Sequence, residues 1–305
     1  MKILIATEKP FAPVAVGQMR EIIEDAGIRL SILEKYSSKA ELINEIIDAD
    51  AVIIRSDIID EEVLDAAKNL KLVVRAGAGY DNIDLKAATK DGIVAMNTPG
   101  QNANAVAELV FGMLVMMARN VFDGTTGTEL KNKTLGLHAY GNVSRNVARI
   151  AKGFGMKVYA YDPFLSEEQI KSEDVIPVST LEDLYKQCQY VSLHIPATPQ
   201  TIKSINYDLL SLMPKGATLI NTARKEIIDE ESLKKLMEER ADFTYISDIK
   251  PDNASEFIDK FSGRVFFTPK KMGAQTKEAN INAGLAAAHQ CVDFLKKGID
   301  KFRVN

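Results

Sequence analysis

Short apolar runs alternate with amphipathic stretches along nearly the whole chain. Residues 1–7, 30–33, 51–54, 72–75 and 94–97 read as strands. Between them, residues 13–26, 39–47 and 61–67 carry apolar side chains at helical spacing. Pro13 suits a first helical position, where its missing N–H costs nothing. Asn97-Thr98-Pro99-Gly100 breaks this first array, and a long apolar-faced helix follows over about 104–120. After the loop Gly124-Thr125-Thr126-Gly127 a second array begins, with strands over 134–139, 157–161, 190–194, 218–221, 245–249 and 265–268. A last helix spans about 276–297. Strands alternating with helices predict parallel sheets covered on both faces.

Composition narrows the picture. A length of 305 residues suits roughly two domains, and 46% hydrophobic residues suffice for buried cores on that scale. A net charge of -4 gives no global attraction to nucleic acid or an anionic membrane, so neither is an expected partner. The two cysteines, Cys188 and Cys291, have no metal-ligand spacing and make no disulfide framework; no metal is expected. No apolar run approaches the ~18 residues of a membrane span. The N-terminus reads as a strand rather than a signal peptide, and the cytoplasm is the expected compartment.

The most telling segment is Leu135-Gly136-Leu137-His138-Ala139-Tyr140-Gly141-Asn142-Val143-Ser144-Arg145, at the hand-over from strand to helix. Asp162 follows at the end of the next apolar run. That is the layout of a dinucleotide-binding βαβ unit, in which free N–H groups at the helix start hold a pyrophosphate. Of the three glycines in that fingerprint only the middle one, Gly141, is present. Ala139 takes the tight-turn position, where a methyl is tolerable if φ stays negative. Ser144 takes the packing position, where a hydroxymethyl is expected to loosen helix–strand contact. A carboxylate at Asp162 accepts ribose hydroxyls and repels a 2′-phosphate, so NAD is expected over NADP.

Further motifs carry a resemblance. Arg75-Ala76-Gly77-Ala78-Gly79-Tyr80-Asp81-Asn82-Ile83-Asp84, Asn97-Thr98-Pro99 with Ala107-Glu108-Leu109, Asn221-Thr222-Ala223-Arg224, and Thr268-Pro269 with Gly273-Ala274-Gln275-Thr276 are similar in order and spacing to the D-isomer-specific 2-hydroxyacid dehydrogenases. Ile54-Arg55-Ser56 and Asn102 resemble, within that family, the D-3-phosphoglycerate dehydrogenases of serine synthesis. The resemblance covers nearly the whole chain. It implies two doubly wound parallel-sheet domains: a substrate-binding domain of residues 1–98 plus 283–305, and an inserted Rossmann NAD-binding domain of residues 99–282. It also implies an active site in the cleft between them, a short form ending without a C-terminal regulatory domain, and a homodimer formed through the helix near 104–120. Beside the cofactor it places Tyr140, Gly141, Asn142, Val143, Asp162, Pro163, His194, Pro196, Thr201, Thr222, Ala223, Asp248, Gly273 and Ala274.

The implied reaction is NAD-dependent oxidation of 3-phospho-D-glycerate to 3-phosphohydroxypyruvate. It needs an anchored carboxylate and a group that moves the hydroxyl proton. Arg224 supplies a bidentate guanidinium. The N–H groups of Ala76, Gly77 and Ala78 form an anion nest. Arg55 and Arg75 end apolar runs and would clamp a phosphate, helped by Ser56, Asn102 and Lys270. The family's acid/base histidine after Thr-Pro is missing, since Lys270-Lys271-Met272-Gly273 follows Thr268-Pro269; its partner glutamate is Asn253. Lys271 is the expected substitute, with Lys270 as second choice, because a lysine has no tautomer to fix. Partial desolvation would lower its pKa towards neutrality; a lysine that stays charged would act as the acid in keto-acid reduction. Two alternatives stay open: a glyoxylate or hydroxypyruvate reductase, and a catalytically silent NAD(H)-binding protein.

Overall fold

In the computed structural model, which describes residues 1–305, the apolar runs become parallel strands because both faces of the central strands are buried. The first unit comprises Met1–Asn102 and Gln275–Asn305. Its strands are β1 (Lys2–Thr7), β2 (Arg29–Glu34), β3 (Ala51–Ile54), β4 (Leu72–Arg75) and β5 (Val94–Asn97), in the order β2-β1-β3-β4-β5. Helices α1 (Pro13–Asp25), α2 (Lys39–Ile46), α3 (Glu61–Ala66) and α4 (Leu85–Lys90) connect them. The order reverses between β1 and β3, so the ligand crevice of this sheet lies at their carboxyl ends.

The second unit, Ala103–Ala274, begins with α5 (Ala103–Ala118). Strand and helix then alternate: β6 (Thr134–His138), α6 (Asn142–Gly153), β7 (Lys157–Tyr161), α7 (Glu167–Lys171), β8 (Ile176–Pro177), α8 (Leu181–Gln187), β9 (Tyr190–Leu193) and α9 (Tyr207–Ser211). The alternation continues through β10 (Thr218–Asn221), α10 (Glu230–Glu239), β11 (Thr244–Ser247), α11 (Ala254–Lys260) and β12 (Val265–Phe267). The seven-stranded order is β12-β11-β10-β9-β6-β7-β8, reversing between β6 and β9. The architecture is thus two doubly wound parallel α/β units. Among the strands, β8 escaped the sequence pattern as an edge strand of only 2 residues, and in the first unit so did the short helix α4, of 6 residues.

The helix α12 (Lys277–Lys297) explains why the chain returns to the first unit at Gln275 and not at 283. It is continuous from Thr276, whose hydroxyl caps Ala279 N–H, to a left-handed Gly298, so it packs as one body. Its buried face is mostly small residues, Ala279, Ala283, Gly284, Ala287, Ala288 and Cys291, with Gln290 among them. A Cβ on Gly284 would sit 2.9 Å from Met19 Sδ and 3.2 Å from the Phe11 ring, so the bare glycine lets α12 pack closely on α1. Each unit has its own buried free cysteine: Cys291 on α12, and Cys188 beneath β6, where Gly136 leaves room for its sulfur. No helix is long and apolar enough to cross a membrane.

Candidate functional site

In the second unit, the turn after β6 and the end of β9 meet the switch-point rule for a bound ligand. Gly141 is the N-cap of α6 and has no side chain to occupy the first N–H groups of the helix. Asn142 and Val143 follow in the first turn, the former exposed. A field of free N–H groups and the helix dipole therefore remain for an anion. Ala139 departs from expectation: its φ is +76, the left-handed region, not negative. Ser144 is fully buried, and its hydroxyl donates to the Ala139 carbonyl at 2.7 Å. The hydroxymethyl thus fills a bonded position between helix and turn, contrary to the expected loosening.

Asp162 ends β7 and fixes the same turn. Its Oδ2 accepts from Tyr140 N–H at 2.8 Å and its Oδ1 from Phe164 N–H at 2.9 Å. Each oxygen keeps a second lone pair that a ribose hydroxyl can use. Pro163 between them is exposed. The Tyr140 ring is buried, its hydroxyl donates to Glu173 Oε2 at 3.0 Å, and Arg145 lies over it while pairing with Glu173. Glu173 carried no signal in the sequence.

The polar atoms around the crevice test whether a dinucleotide fits. His194 Nε2 and Thr222 Oγ1 are buried with no hydrogen-bond partner. Unpaired buried polar groups are rare, and these two follow β9 and β10 in the way a cofactor site requires. Burial pushes the His194 imidazole down to about 3, with His138 adding to the effect, and pushes His138 to about 4 against the pull of Asp162. Both rings are neutral near pH 7. The residues fit NAD. Thr201 differs, since its hydroxyl donates to Pro196 O at 2.6 Å and shapes the loop itself.

Arg224 stands on a turn that Asn221 closes. The Asn221 side chain accepts from Ala223 N–H at 2.9 Å and donates to Arg224 O at 2.8 Å. The half-exposed guanidinium donates to Ala223 O through Nη1 at 2.9 Å, leaving its other edge for a carboxylate. Lys225 pairs with Asp252, and Glu230 accepts from the N–H groups of Asp252 and Asn253. These bonds tie the Arg224 turn to the segment where the family glutamate would stand.

Asp248 is fully buried and holds the segment bearing the lysines. Oδ1 accepts from Thr268 Oγ1 at 2.9 Å and Met272 N–H at 2.7 Å; Oδ2 accepts from Gly273 N–H at 2.7 Å. Residue 273 is closely packed, since a Cβ there would lie 3.0 Å from Asp248 Oδ2 and 3.1 Å from Val106. Ala274 follows, half-buried. Lys270 and Lys271 are both exposed residues on this held segment.

In the first unit, Arg75 Nε donates to Arg55 O at 3.0 Å. Its guanidinium covers Gly77, whose φ is +148 and where any Cβ would overlap that group. The turn is held by Asn97, which donates to Ala78 O at 2.6 Å, and by Thr98 N–H, which donates to Gly77 O at 3.0 Å. One member of the expected nest is corrected: Ala76 N–H bonds Ile54 O at 2.8 Å, leaving those of Gly77 and Ala78. Arg55 is likewise drawn into the fold. It donates to Lys9 O at 2.9 Å, Pro10 O at 3.0 Å and Asn280 Oδ1 at 2.5 Å, over the Phe11 ring. It thus stitches the β1/β3 crevice, and burial lowers its pKa from the usual arginine value. Ser56 is exposed and Asn102 half-buried.

Residues 104–260 match the family model described as D-isomer specific 2-hydroxyacid dehydrogenase, NAD binding domain. The chain belongs to this family. It is 36% identical over 295 residues to D-3-phosphoglycerate dehydrogenase of Sus scrofa, covering 91% of this chain and 54% of that one. It is 38% identical over 218 residues to hydroxypyruvate reductase of Thermotoga maritima, covering 67% of this chain and 70% of that one. A crystal structure of NAD+-bound 3-phosphoglycerate dehydrogenase in Entamoeba histolytica superposes with a TM-score of 0.87 at 50% identity, covering 100% of this chain and 98% of that one. The chain spans about half the length of several curated phosphoglycerate dehydrogenases it matches. Its NAD-binding domain, a member of this family, contains the β6 turn, His194, Thr222, Arg224 and Asp248.

Proposed function

We propose that the chain oxidises 3-phospho-D-glycerate to 3-phosphohydroxypyruvate with NAD, and runs readily in reverse. The observation that carries the reading is the pair of rigid segments in the second unit: an Asn221-closed turn bearing Arg224 and an Asp248-held segment bearing Lys271. Arg224 binds the substrate carboxylate bidentately and polarises the reacting oxygen. Lys271 moves the proton at that oxygen. In the reductive direction it gives that proton to the carbonyl of the 2-keto acid. The nicotinamide ring, when bound, supplies or accepts the hydride. In the first unit, the Gly77 and Ala78 N–H groups beside Arg75 form a turn suited to an anion.

The engagement of Arg55 favours a second reading, a hydroxypyruvate or glyoxylate reductase, because it weakens a two-arginine phosphate clamp. NADH consumption with 3-phosphohydroxypyruvate, hydroxypyruvate and glyoxylate separates the two. A clear preference for the phosphorylated acid, lost in Arg75→Ala, supports the first reading. Equal or better rates with hydroxypyruvate support the second. NADH binding without turnover on any of them rejects both. We also propose a homodimer through the α5 face, where the following turn exposes Val121 and Phe122 (52% and 66%); a monomeric mass in solution rejects it.

A further inference from the structure

Ala139 sits in a conformation that alanine disfavours, with φ +76. Its peptide is fastened on both sides. The N–H donates to Tyr161 O at 2.9 Å, and the carbonyl accepts from the buried Ser144 hydroxyl at 2.7 Å. The next N–H, of Tyr140, donates to Asp162 at 2.8 Å. A serine hydroxyl has one proton, and here it goes to the turn. In a family whose fingerprint has glycine at both positions, this chain has a strained alanine and a serine bonded to it.

We infer that Ser144 is a positioning residue for the cofactor pyrophosphate, acting through the Ala139 carbonyl without touching the ligand. The hydroxyl holds Ala139 left-handed. That conformation aims the chain into Gly141, whose bare N-cap leaves the first N–H groups of α6 for phosphate oxygens. When the hydroxyl is removed, Ala139 relaxes towards negative φ and the free protein populates a turn that does not bind. Glycine at 139 has no such preference and makes the latch dispensable.

The test is equilibrium binding to the full chain, read by NADH fluorescence, with ADP and adenosine read by their displacement of NADH. Ser144→Ala is expected to weaken NADH and ADP alike, by about tenfold if about a tenth of the free protein keeps the competent turn. Adenosine, which has no phosphate, keeps its affinity. In turnover assays the loss falls on KM for NAD and not on kcat. Ala139→Gly supplies the reference background, because glycine takes the left-handed turn without the latch. The double variant Ala139→Gly/Ser144→Ala should return to within about twofold of it, the non-additivity that marks coupled residues. Parent-like NADH binding by Ser144→Ala overturns the inference. So does a double variant as weak as Ser144→Ala, or an equal loss of adenosine affinity.

Discussion

Two segments of the second unit depart from their family at the positions that matter, and they do so in opposite ways. In the turn from Ala139 to Ser144 the replaced residues are drawn inwards. Ser144 is buried and bonded, and the strain sits in the backbone at Ala139. In the segment from Thr268 to Gly273 the backbone is held by Asp248, while the residues at the departing positions, Lys270 and Lys271, are exposed. A phosphate is gripped by main-chain N–H groups, so a change there acts through backbone shape. A proton is moved by a side chain, so a change there leaves the backbone alone and alters which group is presented.

The largest expected effect tests the outward half of that contrast. Lys271→Ala should lower turnover of the 2-keto acid by about 10²–10⁴-fold, the range for a lost general acid, with NADH affinity unchanged. Stopped-flow absorbance of NADH reads it, and near-normal turnover removes Lys271 from the mechanism. Next comes the anchor. Asp248→Ala leaves Met272 and Gly273 N–H groups without their acceptor, at about 1–3 kcal/mol for each buried donor. Denaturant unfolding should shift accordingly; an unchanged midpoint means the segment has another hold.

The inward half responds to pH. His138 and His194 have folded values of about 4 and about 3, below the ordinary 6.5. Between 6.5 and those values the unfolded chain binds protons that the folded one refuses. Stability is therefore full above pH 6.5 and falls as pH drops towards 4, by up to about 1.4 kcal/mol per pH unit for each ring. His138→Gln should flatten a plot of unfolding free energy against pH; an identical slope would absolve that ring. The smallest effect is expected from Lys270→Ala, with a change in turnover within about threefold, as for a solvated surface charge. A loss matching that of Lys271→Ala would transfer the proton role to Lys270.

Strands, helices and the cofactor turn were legible because burial on both faces writes continuous apolar runs, and because the Gly141–Asp162 spacing follows from the βαβ geometry. What escaped the sequence is of another kind. No pattern announces that Asp248 carries the lysine segment, since a buried carboxylate looks the same whether it bonds a ligand or its own chain. Arg55 reads as a ligand-facing arginine at a strand end, yet Lys9, Pro10 and Asn280 claim it, and the last is distant in sequence. The φ of Ala139 is not legible because it depends on what holds the residue, and from sequence alone its holder, Ser144, reads as a packing defect.

The placement of the two cysteines has an experimental use. Burial pushes the Cys188 thiol up to about 12 and raises that of Cys291 as well, so neither is a thiolate near neutral pH. A sulfhydryl reagent can modify them only when the surrounding core opens. Because one thiol lies in each unit, peptide-resolved labelling rates clock the two cores independently, and adding NADH should slow the Cys188 clock ahead of the other.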